Sequence, residues 1–182
     1  GGGPLLINLV HDIDLMRYLI GEIECVLSFE SNSIRGGDTE DTAVVLLKFE
    51  NGSLGTLSVS DTIISPWSWE LTSKENSVYP NQKQNCYWIG GTHGSMELPQ
   101  SKIWKSTEKR SWWEPLTQTN NKVDETKNHP LNEQLENFLA VIEKKQEPVC
   151  SGLDGLNTLA VIEAIKLAAK RGAAVKPEIL KD

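Results

Sequence analysis

Three cysteines in 182 residues, Cys25, Cys86 and Cys150, are too few and too far apart for a disulfide framework, and none forms a CxxC pair. A reduced, cytoplasmic chain is the expected context. No apolar run approaches the ~20 residues needed to span a bilayer, so no membrane partner is expected. Basic residues are also short. Lys+Arg number 18 against 25 Asp+Glu, the net charge is -7, and the isoelectric point is about 5.1. No basic stripe with interleaved aromatics runs through the chain, which excludes nucleic acid as a partner because phosphate neutralisation needs clustered cations. There is no Gly-x-Gly-x-x-Gly after a strand, no P-loop lysine and no Gly-x-Ser-x-Gly elbow. His11, His93 and His129 are scattered, with no HExxH and no ligand-spaced cysteines, so no metal site is expected. The chain opens on Gly-Gly-Gly with neither a basic n-region nor an apolar h-region, and the absent initiator methionine suggests a fragment or a processed chain.

What is present is ordinary for a globular protein: 38% hydrophobic, 24% charged, mean hydropathy -0.34. The length suits one sizeable α/β or α+β domain or two very small ones, and a single domain over residues 1–182 is the expectation. At 100° per residue, Leu5, Leu9, Ile13, Met16 and Ile20 fall on one stripe of a helix, flanked by Leu6. The opposite side carries Ile7, Asn8, His11, Asp14, Leu15 and Tyr18. Pro4 suits the first turn and Gly21 the stop.

From Ile23 the period becomes two. Ile23, Cys25, Leu27 and Phe29 are expected on the covered face of a strand. A Gly-rich loop, Arg35–Asp38, leads to a central strand over Thr42–Glu50, and Asn51-Gly52 predicts a type I′ turn into Ser53–Ser60. Asn51-Gly52-Ser53 also matches a glycosylation acceptor, but the hairpin reading accounts for it. Trp67–Ser73 reads as a further strand and Lys74–Asn85 as loop. Cys86–Ile89 and Gly94–Leu98 form a pair turned at Gly90-Gly91. Lys102–Ser106 and Ser111–Leu116 form another about Thr107–Arg110, and Gln118–Asn128 reads as a mobile surface loop.

Two helices close the chain. Pro130 opens one whose apolar face is Leu131, Leu135, Phe138, Leu139 and Ile142. Ser151-Gly-Leu-Asp154 resembles a capping box and opens the other, with Leu156, Leu159, Ala160, Ile165 and Ala168 inward and Gly172 at its end. Sequential, hairpin-linked strands with helices at either end predict an α+β fold: a large, mostly antiparallel sheet with helices packed on one face and the other face open.

Histidine is the side chain whose proton moves most readily near neutral pH, and Asn8 and Asp14, each three residues away, share its side of the helix. A carboxylate favours and orients the charged imidazole, and an amide can hold a substrate hydroxyl. His11 is thus a candidate general acid/base for an alcohol or carbonyl, with Asn8 as the candidate hydroxyl ligand and Asp14 as its orienting carboxylate. The plain alternative is a buried or helix-surface histidine without chemistry, Asp14 pairing with Arg17 at i,i+3. The six tryptophans, Trp67, Trp69, Trp88, Trp104, Trp112 and Trp113, gather in the strand region and predict an aromatic face for self-association, with ligand contact as second choice for Trp67 and Trp69.

GGGPLLINLVHDIDLMRYLIGEI resembles the helix that opens the C-terminal domain of the glucose–fructose oxidoreductase / inositol dehydrogenase / MocA family. The likeness continues through Glu40-Asp41-Thr42, FENGSLGTL, IGGTHGSMEL, the helix around Phe138 followed by EPVCSGLDGL, and the last helix to Gly172. It covers essentially all 182 residues in order. The resemblance implies an NAD(P)-dependent oxidoreductase acting on a sugar, polyol or related hydroxy/keto compound. Its N-terminal Rossmann domain, with the Gly-rich dinucleotide loop and a catalytic lysine, would be absent from this chain. On that basis no cofactor-binding residue is expected here and the piece alone is expected to be inactive. The family also implies His11 beside the nicotinamide and Asn8 against substrate, and on that basis Asn8, Asp14 and Tyr18 are the expected substrate-binding residues. One departure stands out: many members carry an aspartate four residues before the histidine, where this chain has Ile7. A homo-dimer or tetramer through the open sheet face is the expected assembly. The rival expectation is a non-catalytic dimerisation or protein-interaction module.

Overall fold

The computed structural model describes residues 2–121 and 129–179, and these fall into two compact units, Gly1–Ile63 with Pro148–Asp182, and Ile64–Glu147. The class is α+β with antiparallel sheets.

In the first unit a helix, α1, opens as a π-helical stretch over Leu5–Leu9 and continues as α-helix over Val10–Ile20. Its Leu5, Leu9 and Ile13 are buried, and Val10, Met16 and Ile20 flank them. The apolar stripe read from the sequence is therefore the one that packs, each full burial being worth about 1.5–3 kcal/mol. Three strands follow, β1 (Ile23–Ser31), β2 (Thr42–Phe49) and β3 (Leu54–Ser60), in the order β1-β2-β3 with β2 central. The last helix of the chain, α4 (Gly152–Arg171), supplies Val161, Ile162, Ala164, Ile165 and Ala168 to the same core. Leu156 and Leu159, expected inward, are exposed, because the buried stripe of α4 runs through Thr158 instead. Beyond α4 the chain returns to the sheet, where Val26 and Val175 exchange both backbone hydrogen bonds.

Strand β1 corrects the alternation expected of it. Its pairing with β2 slips between Ile23, opposite Phe49, and Cys25, opposite Lys48. The extra residue is a bulge, and one added residue sends every later side chain to the other face. Ile23, Val26 and Ser28 are buried, whereas Cys25, Leu27 and Phe29 point away from the helices. Ser28 donates its hydroxyl hydrogen to the Ile165 carbonyl, so the polar residue brought inward is satisfied. The outer face aligns Phe29 with Val44 and Leu27 with Leu46, and Phe29, Val44 and Leu46 are exposed.

The β2–β3 turn also differs from the expected two-residue I′ form. Phe49 N–H bonds the Ser53 carbonyl across a three-residue connection in which Gly52 alone has positive φ, at 85°. Type I′ would need Asn51 left-handed as well; here its side chain is engaged instead, taking Ser53 N–H and donating to the Ile20 carbonyl.

The second unit holds a short helix, α2 (Trp69–Thr72), a four-stranded antiparallel sheet of β4 (Tyr87–Gly91), β5 (Gly94–Leu98), β6 (Lys102–Ser106) and β7 (Leu116–Asn120), and α3 (Pro130–Ile142). Trp67–Ser73 is thus helical over its centre, where Ser68 caps the Leu71 N–H. Gly90 and Gly91 lie within β4 and the turn falls on Thr92-His93. A Cβ on Gly94 would stand 2.6 Å from the Trp104 carbonyl oxygen, so glycine is needed there for β6 to approach. The strand expected at Ser111–Leu116 begins only at Leu116, and Gln118–Asn120, expected as loop, belongs to it. Residues 122–128 of that expected loop lie outside the described residues. Helix α3 forms as read, with Leu131, Leu135, Phe138, Leu139 and Ile142 exposed.

The tryptophans do not share one sheet face. Trp88 and Trp104 flank Glu97 on the four-stranded sheet. Trp69 lies in α2 against the Tyr87 ring, and Trp112 and Trp113 stand fully exposed between β6 and β7.

The capping box of α4 is complete: Ser151 Oγ accepts the Asp154 N–H, and Asp154 accepts both the N–H and the hydroxyl of Ser151. These bonds, led by the Ser151 hydroxyl, hold the Asp154 carboxyl below its ordinary range. A depressed carboxylate stabilises the fold above its unfolded-state pKa, and that contribution is lost as pH falls through the folded value. Asp154→Asn should therefore destabilise the protein at neutral pH, with the gap from wild type closing below about pH 4; denaturant titrations across pH check this. The bulge makes a second prediction. Phe49→Ala should cost about 3–5 kcal/mol in urea unfolding, while Phe29→Ala, on the outer face, should cost less than about 1 kcal/mol.

Candidate functional site

Burying Leu5, Leu9 and Ile13 leaves the other side of α1 free, and Ile7, Asn8, His11 and Tyr18 on that side are exposed. Asn8 lies in the π-helical turn and His11 in the first α-helical turn after it. Such turns are uncommon and occur often at functional sites. Among the described residues no hydrogen bond or ion pair joins His11 to Asn8 or to Asp14. The imidazole stands exposed at the surface.

Asp14 has other partners. Its Oδ1 accepts the Thr158 hydroxyl at 2.9 Å and lies 3.7 Å from Arg17 Nη1. The i,i+3 pairing with Arg17 is present, therefore, and Asp14 couples α1 to α4. Arg17 is the centre of that coupling. Its side chain is 4% exposed. Nε and Nη2 donate to the two oxygens of Glu22 at 2.9 and 2.7 Å, a bidentate pair, and Nη1 donates to the Asp154 carbonyl and the Thr158 hydroxyl at 2.8 Å each. The bond from Glu22 outweighs burial and raises the guanidinium's pKa, with Asp14 and Asp154 adding to it. The nearest signal in the sequence was the i,i+3 pair with Asp14; the partners on α4 lie more than a hundred residues away.

Beside this network lies a cavity of about 190 Å³ lined by Asp14, Arg17, Tyr18, Glu22, Val149, Cys150 and Asp154. Partial burial, followed by the Asp14 and Asp154 charges, pushes the Cys150 thiol up. Groups of three or more His, Cys, Asp or Glu that could hold a metal ion do not occur among the described residues. A dinucleotide pyrophosphate needs a parallel strand, a Gly-rich turn and a helix N-terminus in sequence. Both sheets are antiparallel, and the described residues contain no such unit.

Known proteins match this chain along most of its length. A curated relative, the D-apiose dehydrogenase of Paraburkholderia graminis, is 26% identical over 94% of this chain and 44% of its own length. The myo-inositol 2-dehydrogenase of Thermotoga maritima is 39% identical over a shorter stretch, 32% of this chain and 19% of its own. Among solved structures, a levoglucosan dehydrogenase in complex with NADH and L-sorbose superposes with a TM-score of 0.71 at 18% identity, over 99% of this chain and 51% of that one. The chain spans about half the length of these longer matches. Residues 1–176 match the family described as "Oxidoreductase family, C-terminal alpha/beta domain", the Gfo/Idh/MocA group, and the chain belongs to that family.

Proposed function

We propose that this chain is the substrate-side and oligomerisation part of an NAD(P)-dependent oxidoreductase acting on a sugar, polyol or related hydroxy/keto compound. The observation that carries the reading is the exposed Asn8–His11 face of α1, set opposite a fully buried stripe of the same helix. Family membership and the sugar dehydrogenases among the relatives support it. In the whole protein the nicotinamide supplies the hydride chemistry, and its binding belongs to the part of the family's length that this chain does not span.

His11 takes the hydroxyl proton as the alcohol is oxidised, or returns it in reduction. Asn8, one turn before it, has both a donor and an acceptor with which to hold a neighbouring hydroxyl. Tyr18 and Asp14 line the approach from the cavity side, Asp14 with one oxygen already held by Thr158. Ile7, 57% exposed, puts a hydrocarbon where many members place a carboxylate, so His11 works without that partner and the substrate meets an apolar contact there.

For assembly, the outer face of the three-stranded sheet, with Phe29, Val44 and Leu46 in adjacent strands, is the proposed surface for a homo-dimer or tetramer. It replaces the tryptophan face expected from sequence. The same surface is what favours the second reading, an association module without catalysis.

His11→Ala in the full-length protein should lower kcat/KM by about 10²–10⁴-fold with an unchanged melting profile; unchanged turnover with both cofactors across a sugar and polyol panel would sink the catalytic role. The 182-residue chain alone should show no tight NADH or NADPH binding in a fluorescence titration. In sedimentation it should self-associate in the micromolar range, and Phe29→Asp should shift it to monomer; a monomeric wild type rejects the sheet-face assembly.

A further inference from the structure

The N-terminal end of α1 has no side-chain cap of its own: Pro4 stands at the cap position and offers none. The first free N–H groups of a helix need an acceptor, and they attract negative charge. Here the acceptor comes from 35 residues away. Glu40 Oε1 takes the Leu5 N–H at 2.9 Å in a half-buried setting. The glycine triplet makes room for it. Gly3 has φ +65°, and a Cβ on Gly3 would lie 2.2–2.6 Å from the three atoms of the Glu40 carboxylate. Any side chain there would displace the carboxylate and strain the backbone.

Glu40 is itself held firmly. It immediately precedes Asp41, which is fully buried and whose Oδ2 accepts the Ile34 and Arg35 N–H groups. Asp41 N–H bonds the Ser31 carbonyl at the end of β1, and the Asp41 carbonyl accepts the Asp61 N–H just past β3. The lead-in to the central strand is thus pinned on both sides, and Glu40 transmits that position to the start of α1. The anchor lies three residues before Asn8 and six before His11, at the edge of the π-helical turn that sets their angular position. The Gly-Gly-Gly and Glu-Asp-Thr segments, far apart in sequence, are two halves of one contact.

We propose that Glu40 is a positioning residue for His11: its carboxylate fixes the first turn of α1, and so the height and rotation at which His11 and Asn8 meet the substrate. The proposal rests on the catalytic reading of His11. A helix end released from its anchor moves the reacting group by a fraction of a turn, and a misplacement of about 1 Å costs catalysis up to about a hundredfold.

The test uses the full-length enzyme and compares kcat and KM of Glu40→Ala, Glu40→Gln, Gly3→Ala, His11→Ala and the Glu40→Ala/His11→Ala double variant, each checked for native circular dichroism. Glu40→Ala should lower kcat at least about tenfold with the KM for the dinucleotide unchanged. Glu40→Gln, which keeps the acceptor oxygen, should recover most of the loss. Gly3→Ala, which keeps Glu40 but displaces its carboxylate, should reproduce the Glu40→Ala defect and guards against a fold-specific effect of losing Glu40. In the His11→Ala background, Glu40→Ala should have little further effect. Full kcat in Glu40→Ala with His11→Ala inactive overturns the positioning role alone, as does an undiminished Glu40→Ala defect in the absence of His11. Full activity in His11→Ala overturns the catalytic reading and the positioning role with it.

Discussion

Arg17 places a permanent cation in the interior of the first unit, and the contact between α1 and α4 is arranged to satisfy it. Four donor bonds leave the guanidinium, two to Glu22 just past α1 and two to α4. Removing partners from a buried charge costs several kcal/mol, whereas rotating an amphipathic helix slightly costs much less. The stronger demand sets the geometry: α1 takes the one rotation that delivers Arg17 to α4, and Leu5, Leu9 and Ile13 then face the sheet. Asn8 and His11 face solvent for the same reason.

The period of 3.6 made α1 legible, with its buried stripe, because side-chain direction in a helix is a local property. The capping box at Ser151 and the hairpin at Asn51-Gly52 were legible for the same reason, although the turn's type was not: Asn51 is recruited by the Ile20 carbonyl, a partner thirty-one residues away. The bulge before Cys25 was hidden because alternation in Ile23–Phe29 fits either face equally well, and the choice depends on what β2 and α4 need beneath them. Trp67–Ser73 misled through β propensity, which a four-residue helix with a serine cap overrides. In the site, His11 and Asn8 could be picked out on one face, but Arg17 and Glu40 could not, since their meaning lies in partners 137 and 35 residues distant.

Two kinds of order meet in the first unit. Its apolar core, from Leu5 to Ala168, is non-directional and tolerates small displacements. The polar anchors at the two ends of α1, Glu40 at the start and Arg17 at the end, are directional and do not. A helix held only by its apolar stripe could slide or turn by fractions of an ångström at little cost. A carboxylate bonds one end of the helix and a guanidinium ties down the other, so its exposed face is fixed from both ends.

The backbone pairing of Val26 with Val175 closes part of the outer edge of β1 with the chain's own C-terminal segment. An unpaired strand edge is a template for any extended peptide, and sheets left with two such edges are prone to stacking end to end. Here the tail covers the stretch of the β1 edge around Val26, while among the described residues no strand pairs with the outer edge of β3. The two edges of the three-stranded sheet are therefore unequal: a strand added beside β1 would have to displace the tail at Val26, and one added beside β3 would not.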